Sequence, residues 1–578
     1  MTTTSSDQTI ASTHPFRFWD LAGIILLPEL RFKVVALVYG LAIALLSLAL
    51  PVSVQVFVES VANTGQLDPV LAVSFILMVL LTGGAVFTAL QIYAMDLFER
   101  RLFARIVSEI AMRLMYADMS SLEHFDRDDL LNRYFEIHTI RSALPPLVTG
   151  AIALLLQSVV GLAVVTFYHP FFFAFSILFG LTVIVVWRSL DKPAVRTAIA
   201  SSYAKYDVAD WLETLGRNNS FFKSRRAIDY ALEETERQNA VFLERHRDHF
   251  HYVFSQTIGF LLAYVISSVT LLALAGWLVI LGEMTLGQLV AAELILTGVF
   301  ASMSRFGYYL ELHYDVCAAM DKLSAFYRLP LEERDTDKRK LATDWSPSLE
   351  LRQVRHSTPE KTFQVNASFP AGTSALVAAE DTMMIKLITD WLQRFREPDY
   401  GEVLVGGEDV SDLVAQDLRD DIAVIDSPLV LDGAIADYMA LADPNVTRPR
   451  MREALTNVGF GPTLEQLPEG LETHLLPSGY PLYWTDTLQV KIAFAVLTRP
   501  KIMVLTPLID SLTRDHRRQI LQYINSLEGT TLIYFSNRRD LDLFDRYFTV
   551  HPTHQACFNT LDELRLSEGL PHYGMSEV

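Results

Sequence analysis

The residues that could do chemistry gather at strand-to-helix junctions in the last third of the chain. The apolar run TSALV (Thr373–Val377) leads into Ala378-Ala379-Glu380-Asp381-Thr382-Met383-Met384-Ile385-Lys386. Such a turn cradles phosphate when glycines let backbone N–H groups wrap it, a Lys reaches the outer phosphates and a Ser or Thr holds Mg²⁺. This turn contains no glycine. Met384, or Ile385 if one residue is inserted, falls where the Lys should be, and Lys386 is displaced. Glu380 and Asp381 place negative charge where phosphate would sit. An ordinary strand-to-helix turn is the preferred reading. A second candidate is Glu293, a lone carboxylate in a long apolar run; an intramembrane carboxylate is costly and is a functional candidate by default. An outer water interface or a quiet helix pairing would explain it equally simply. Gln91, Gln157 and Gln256 are weaker candidates of the same kind.

Composition says what must position these groups. Hydrophobic residues make up 51% of 578 residues, and mean hydropathy is +0.25, which points to a membrane segment. The formal net charge of -19 argues against nucleic acid as a partner. Cys317 and Cys557 lie far apart without metal-ligand spacing, so neither a disulfide framework nor a metal site is expected. Apolar runs of bilayer length, about 20 residues, occur near Val34–Val58, Val70–Tyr93, Leu147–Phe167, Phe171–Trp187, Ile258–Leu281 and Leu286–Met303. Tyr168-His169-Pro170 alone separates the third from the fourth. Lys and Arg crowd the two long connections and are missing from the short ones. Both termini are therefore expected in the cytoplasm. Each long connection reads as helices running on the order of 40 Å past the membrane.

From Leu349 onward, short β-like runs alternate with helical stretches, which predicts an α/β domain with a largely parallel sheet. The sequence here resembles the ABC exporters of the type IV, haemolysin-exporter kind. SSLEHFDRDDLLNRYFE (Ser120–Glu136), with Phe125, Asp126 and Arg127, resembles the first coupling helix. ETLGRNNSFFKSRRAIDYALEET (Glu213–Thr235), with Phe221 and Phe222, resembles the second, and GEMTLGQLVAAELI (Gly282–Ile295) the turn between the last two spans. FPAGTSALV (Phe369–Val377), RFREPDYGEVLVGGEDVSDL (Arg394–Leu413), LPEGLETHL (Leu467–Leu475) and RPKIMVL (Arg499–Leu505) resemble scaffold phrases of the ABC nucleotide-binding domain, in order.

The resemblance implies where nucleotide chemistry should lie, and the residues there differ. RPKIMVL should run into Asp-Glu but runs into Thr506-Pro507, which supply neither the metal-linked carboxylate nor the water-polarising acid. The signature Ser-Gly-Gly-Gln, a helix-start anion site, is replaced by Tyr483-Trp484-Thr485-Asp486; Thr485 or Asp486 would serve as a cap. Ser536 stands for the switch His, Ser427 lies in the loop that should hold a Gln, and Thr358 stands for the adenine-stacking aromatic. ABC sites are composite, one subunit's phosphate loop facing the other's signature, so pairing alone does not restore them.

The expected architecture is a multi-domain membrane protein. It has a tail with a surface helix over 1–30, a six-helix transmembrane ABC exporter domain over 31–330, a degenerate P-loop NTPase-like ABC domain over 349–550, and a tail over 551–578. No peptidase-like domain is expected before the first span. The resemblance places the chain in the inner membrane of a bacterium. It implies a second half-transporter as partner, in a homo- or heterodimer, optionally with a periplasmic adaptor, and no bound ATP-Mg²⁺ or other cofactor. Three functions remain open: an inactive exporter subunit beside an ATP-competent partner, a transporter or channel not driven by ATP that uses Glu293, and a membrane scaffold, sensor or immunity protein.

Overall fold

The computed structural model describes residues 23–24, 30–63, 67–122, 130, 132–332, 335, 337–358, 361–379, 381–428, 432–551 and 555–568. The chain divides into two compact units, Met1–Glu332 and Glu333–Val578. Phe125, Asp126 and Arg127, Glu380, and nearly all of the expected N-terminal tail lie outside the described residues.

The first unit is helical, and 6 of its segments are long and apolar enough to cross a membrane. Helices α1 (Leu30–Ser47) and α2 (Ala49–Asn63) together make the first span. Their break at Leu48 follows from Pro51, which has no N–H to give the carbonyl of Ser47. Helix α3 (Leu67–Met115) runs through the second span and on past it; a one-turn helix, Met119–Leu122, follows. Helix α4 (Glu136–Pro146) widens into a π turn at Leu147–Ala151 before α5 (Ile152–Thr166). Pro145 and Pro146 remove two successive ladder donors, a recognised cause of such irregularity. Tyr309 packs onto this turn so closely that a Cβ on Gly150 would lie 2.2 Å from its hydroxyl oxygen.

The third-to-fourth turn is as short as expected. His169 accepts the Phe171 N–H through Nδ1 at 3.2 Å and caps α6 (Pro170–Arg217), with Pro170 in the first turn. A hairpin tip leads into α7 (Arg225–Ile280), which Ser224 caps. With 48 and 56 residues, these helices run about 70 and 85 Å at 1.5 Å per residue, far beyond a hydrocarbon core of about 30 Å. Helix α8 (Leu286–Arg328) starts on a reciprocal capping box between Thr285 and Gln288. Polar side chains tie the helix ends at the short turns together: His169 to Glu283 at 2.9 Å, Tyr168 to Gln55 at 2.8 Å and Thr285 to Glu59 at 3.0 Å.

Among its described residues the second unit holds two larger sheets and a two-stranded one. The antiparallel one has the order β2 (Thr362–Phe369), β1 (Leu349–Ser357), β4 (Tyr400–Val405), β5 (Glu408–Asp409). The other runs β12 (Gln555–Phe558), β11 (Arg546–Val550), β3 (Ser374–Ala379), β10 (Thr531–Phe535), β9 (Ile502–Leu505), β6 (Ile422–Ile425), parallel except for β12. Every residue of β3, β9 and β10 is buried, as suits continuous apolar strands covered on both faces. Helices α9 (Thr382–Leu392), α10 (Ala415–Asp421), α11 (Ile435–Ala440), α12 (Arg448–Asn457), α13 (Gly461–Gln466), α14 (Trp484–Leu497), α15 (Arg514–Asn525) and α16 (Leu561–Glu568) complete it. A two-stranded piece, β7 (Gly433–Ala434) with β8 (His474–Leu475), joins α11 to the loop before α14.

Two expected boundaries need correction. The expected tail over 551–578 contains β12, which pairs with β11, and α16, whose Leu561 and Leu564 are buried in the same core. The residues before 349 also belong to the second unit: Trp345 is buried and gives its indole N–H to Asp421 at 2.6 Å. The pairing of β12 and the single aromatic anchor Trp345 carry no periodicity of their own, and Leu561 and Leu564 sit in a helix of only 8 residues.

Candidate functional site

Because β3, β10, β9 and β6 are parallel, their carboxyl ends share one edge of the sheet, where open α/β sheets receive ligands. Asp381, Ser536, Thr506 with Pro507, and Ser427 all follow those ends directly.

At the end of β3, Asp381 is the N-cap of α9. Its Oδ1 accepts the Met383 N–H at 2.9 Å and its Oδ2 takes the Lys361 ammonium at 2.9 Å. The Lys361 hydrogen bond, joined by the amides of Met383 and Met384, holds the Asp381 carboxyl below its ordinary value against a smaller desolvation. A carboxylate therefore sits on the amides that a phosphate would otherwise meet. Ala378, Met384 and Ile385 are buried in the core and Met383 is half-buried. Lys386 is on the exposed face of α9, paired one turn on with Asp390 at 3.3 Å. Thr358 closes the β1–β2 hairpin: its N–H and hydroxyl donate to the Lys361 carbonyl at 2.9 and 3.0 Å, and its Oγ1 accepts the Lys361 N–H at 3.2 Å.

The ends of β9, β10 and β6 are cross-linked to one another. Thr506 donates its hydroxyl to the Ile425 carbonyl at 2.8 Å, and Pro507 begins a 3₁₀ turn, Pro507–Ser511. Asp510 in that turn accepts from Ser536 at 2.7 Å, from the Asn537 amide at 3.3 Å and from Tyr534. Burial, and then the Asp510 carboxylate, push the Tyr534 hydroxyl well above its usual range. Arg517, 1% exposed, forms a two-pronged pair with Asp540. At β6, Lys491 from α14 reaches Ser427 at 2.9 Å and Asp426 at 3.2 Å. Lys361, Lys491, Tyr534, Arg517 and Asp540 were not visible as site residues in the sequence. They arrive from other strands and helices, and no local spacing marks them.

The start of α14 carries Tyr483, Trp484, Thr485 and Asp486. The N-cap is Tyr483 rather than the expected Thr485 or Asp486; Asp486, in the first turn, reaches back and accepts the Tyr483 N–H at 3.2 Å. Tyr483 and Trp484 are 80% and 48% exposed.

In the first unit, Phe221 and Phe222 sit in a 3₁₀ turn, Phe221–Lys223, at the tip of the α6–α7 hairpin. Phe221 is exposed, while Phe222 meets Trp211 edge-on at 5.8 Å. Glu293 lies half-buried about two turns into α8. Its Oε1 accepts from Thr297 at 3.3 Å, and its buried Oε2 has no hydrogen-bond partner. Gln91 reaches the Ala36 carbonyl at 3.5 Å, and Gln256 and Tyr314 bond reciprocally at 2.7 and 3.0 Å; Gln157 is half-buried. Among the described residues no group of three or more His, Cys, Asp or Glu is arranged to hold a metal.

Residues 34–196 match the ABC transporter transmembrane region family. The chain is a relative of the ABC exporters. It is 22% identical over 477 residues to the alpha-hemolysin translocation ATP-binding protein HlyB of Escherichia coli O157:H7, covering 81% of this chain and 67% of that one. It is 22% identical over 543 residues to the leukotoxin translocation ATP-binding protein LktB of Mannheimia haemolytica, covering 93% and 76%. A bacterial Atm1-family ABC exporter solved with ATP bound superposes with a TM-score of 0.81 at 16% identity, over 95% of this chain and 97% of that one. The six spans followed by a sheet-containing domain are thus the ABC exporter fold, and the exporter relative is a membrane protein.

Proposed function

We propose that this ABC exporter relative is a subunit without ATP turnover of its own, acting beside a second, ATP-competent half-transporter to export a peptide, protein or other amphipathic cargo. The observation that carries this reading is the Asp381 carboxylate on the first amides of α9, neutralised by Lys361. A nucleoside triphosphate with Mg²⁺ does not fit the donor set: its amides are taken, Lys386 is paired elsewhere, and Thr506 spends its hydroxyl on a backbone carbonyl. The relatives' names, which describe translocation and ATP binding, support an export role for the fold. The test is nucleotide binding by the purified chain at millimolar ATP-Mg²⁺, alone and with co-purified partners. Saturable, Mg²⁺-dependent binding by the chain alone would sink the reading.

A second reading, transport coupled to an ion rather than to ATP, draws on the unpartnered Oε2 of Glu293. It expects Glu293→Gln to abolish proton-linked flux in proteoliposomes; unchanged flux removes it.

A further inference from the structure

A cavity of about 360 Å³ lies between the free edge of β2 and one face of the β11–β12 pair, and no residue of the ligand edge lines it. That volume is within the range of small-ligand sites, roughly 300–1,000 Å³. Its floor is apolar. Phe548 and Val550 are buried, and Phe548 packs on Phe369 with ring centroids 4.8 Å apart. Cys557 exposes its thiol there. Among the described residues Arg546 is the only charged side chain in the wall. The chain carries 67 acidic against 48 basic residues, so a wall with an arginine and no carboxylate selects for an anion. Arg546 is exposed, gives one N–H to Asn559 and forms no ion pair among the described residues. A guanidinium carries five N–H donors in all.

The edge of β2 adds a pattern. In an antiparallel strand each residue turns its N–H and C=O to the same side, and the side alternates along the chain. Gln555 accepts the Asn366 N–H and donates to the Gln364 carbonyl. Gln364, Asn366 and Ser368 are therefore the residues that face away from β1, whose pairing with β2 is regular through Leu351–Ala367 and Leu349–Phe369. Gln555 takes one carbonyl and the N–H two residues further on. The same pair recurs at the next step, as the Asn366 carbonyl and the Ser368 N–H, and both residues line the cavity. Among the described residues no hydrogen bond from outside the sheet fills this second pair. An amide occupies the first pair, so the second suits one residue of a peptide running parallel to β2. Contacts along β2 pass from Gln555, opposite Val550, to Phe369, which lies on Phe548. The next residue of β11 on that face is Arg546. A parallel peptide therefore ends toward Arg546.

We propose that this cavity captures the free C-terminus of a partner chain. The penultimate residue takes the rung at Asn366 and Ser368, the terminal carboxylate pairs with Arg546, and an apolar last side chain suits the Phe548 floor. Main-chain bonds to a strand edge and a carboxylate grip are both recurring modes of peptide capture. The site goes beyond the exporter reading, since it needs neither ATP nor transport.

The experiment uses the full chain in lipid nanodiscs with Cys317→Ala, which leaves Cys557 as the one thiol. The probe is acetyl-Gly-Ala-Val with a free carboxylate, and its control is the same peptide ending in an amide. At millimolar concentration the acid is expected to slow maleimide labelling of Cys557 saturably. The amide should need about tenfold more, the value of one charge-assisted pair. Arg546→Gln should bring the acid to the level of the amide and leave the amide unchanged. Ser368→Pro removes the outward N–H at an edge position, where proline is tolerated, and should weaken both. Unchanged melting temperature shows that each variant is folded, and the wild-type comparison needs no variant. No protection by the acid, equal protection by acid and amide, or undiminished affinity for the acid in folded Arg546→Gln or Ser368→Pro would overturn the proposal.

Discussion

The starts of α9 and α14 each use an aspartate, in opposite ways and opposite surroundings. Asp381 is the N-cap of α9 and accepts the Met383 N–H, whereas Asp486 lies inside the first turn of α14 and reaches back to the N–H of the N-cap Tyr483. At α9 the carboxylate is also neutralised by Lys361, beside Ala378 and Met384, which are buried. The neighbouring strand ends are held by the Thr506, Ser536 and Asp510 bonds. At α14 the carboxylate serves its own first turn, and the aromatic rings beside it stay in solvent. One start is locked into the sheet edge. The other is a capped helix with a sticky rim. The same charge therefore stabilises the domain to different degrees in the two places.

The largest test of the locked edge is Arg517→Ala. Removing one partner of a buried ion pair typically costs about 3–5 kcal/mol, so the melting temperature of the second unit should fall furthest here. Asp381→Ala should follow, at about 2 kcal/mol, because it removes both a helix cap and a charge-assisted partner. Asp486→Ala should cost less, about 0.5 kcal/mol, because it removes one bond to a backbone amide at an exposed helix start. Equal losses at the two aspartates, by thermal unfolding under matched conditions, would break the comparison.

Acid should sharpen it further. The folded carboxyl of Asp381 titrates below its ordinary value, chiefly through the Lys361 hydrogen bond. Its contribution is therefore present above the unfolded value and lost as pH falls through the folded one. Melting curves of the wild type and Asp381→Asn should differ near neutrality and converge only as pH falls through the depressed folded value. The smallest effect is expected from Tyr483→Ala with Trp484→Ala. Exposed side chains without special contacts change stability within about 0.5 kcal/mol, so a larger loss would mean the rim is packed after all.

The architecture was legible because its signals are long. The apolar runs, the Tyr168-His169-Pro170 turn and the alternation of strand-like and helix-like stretches each rest on many residues. The negative charge at Asp381 was legible as well, since a carboxylate at a helix start acts on its nearest amides; the cap of α14 was not, because the helix begins one residue after Tyr483 and Asp486 falls inside its first turn. The partners were not. Lys361 lies 20 residues before Asp381 and reaches it only because the β1–β2 hairpin brings it there. Ser536 and Asp510 meet because β9 and β10 are neighbours, an order that no single strand states. The break at Leu48 and the π turn at Leu147–Ala151 were also missed, although Pro51 and the Pro145-Pro146 pair were the visible cues.

Gln555 carries a consequence for how the second unit is protected. Its side-chain amide accepts the Asn366 N–H at 2.6 Å and donates to the Gln364 carbonyl at 2.5 Å, copying one rung of a ladder between β12 and β2. On its other side β12 pairs with β11 from Tyr547 to Val550. The residues after Val550 thus act as a guard on two open sheet margins at once. A chain cut after Val550 would present both margins to solvent, where unpaired strands recruit other strands. Its first failure would be self-association at that corner rather than unfolding at the ligand edge.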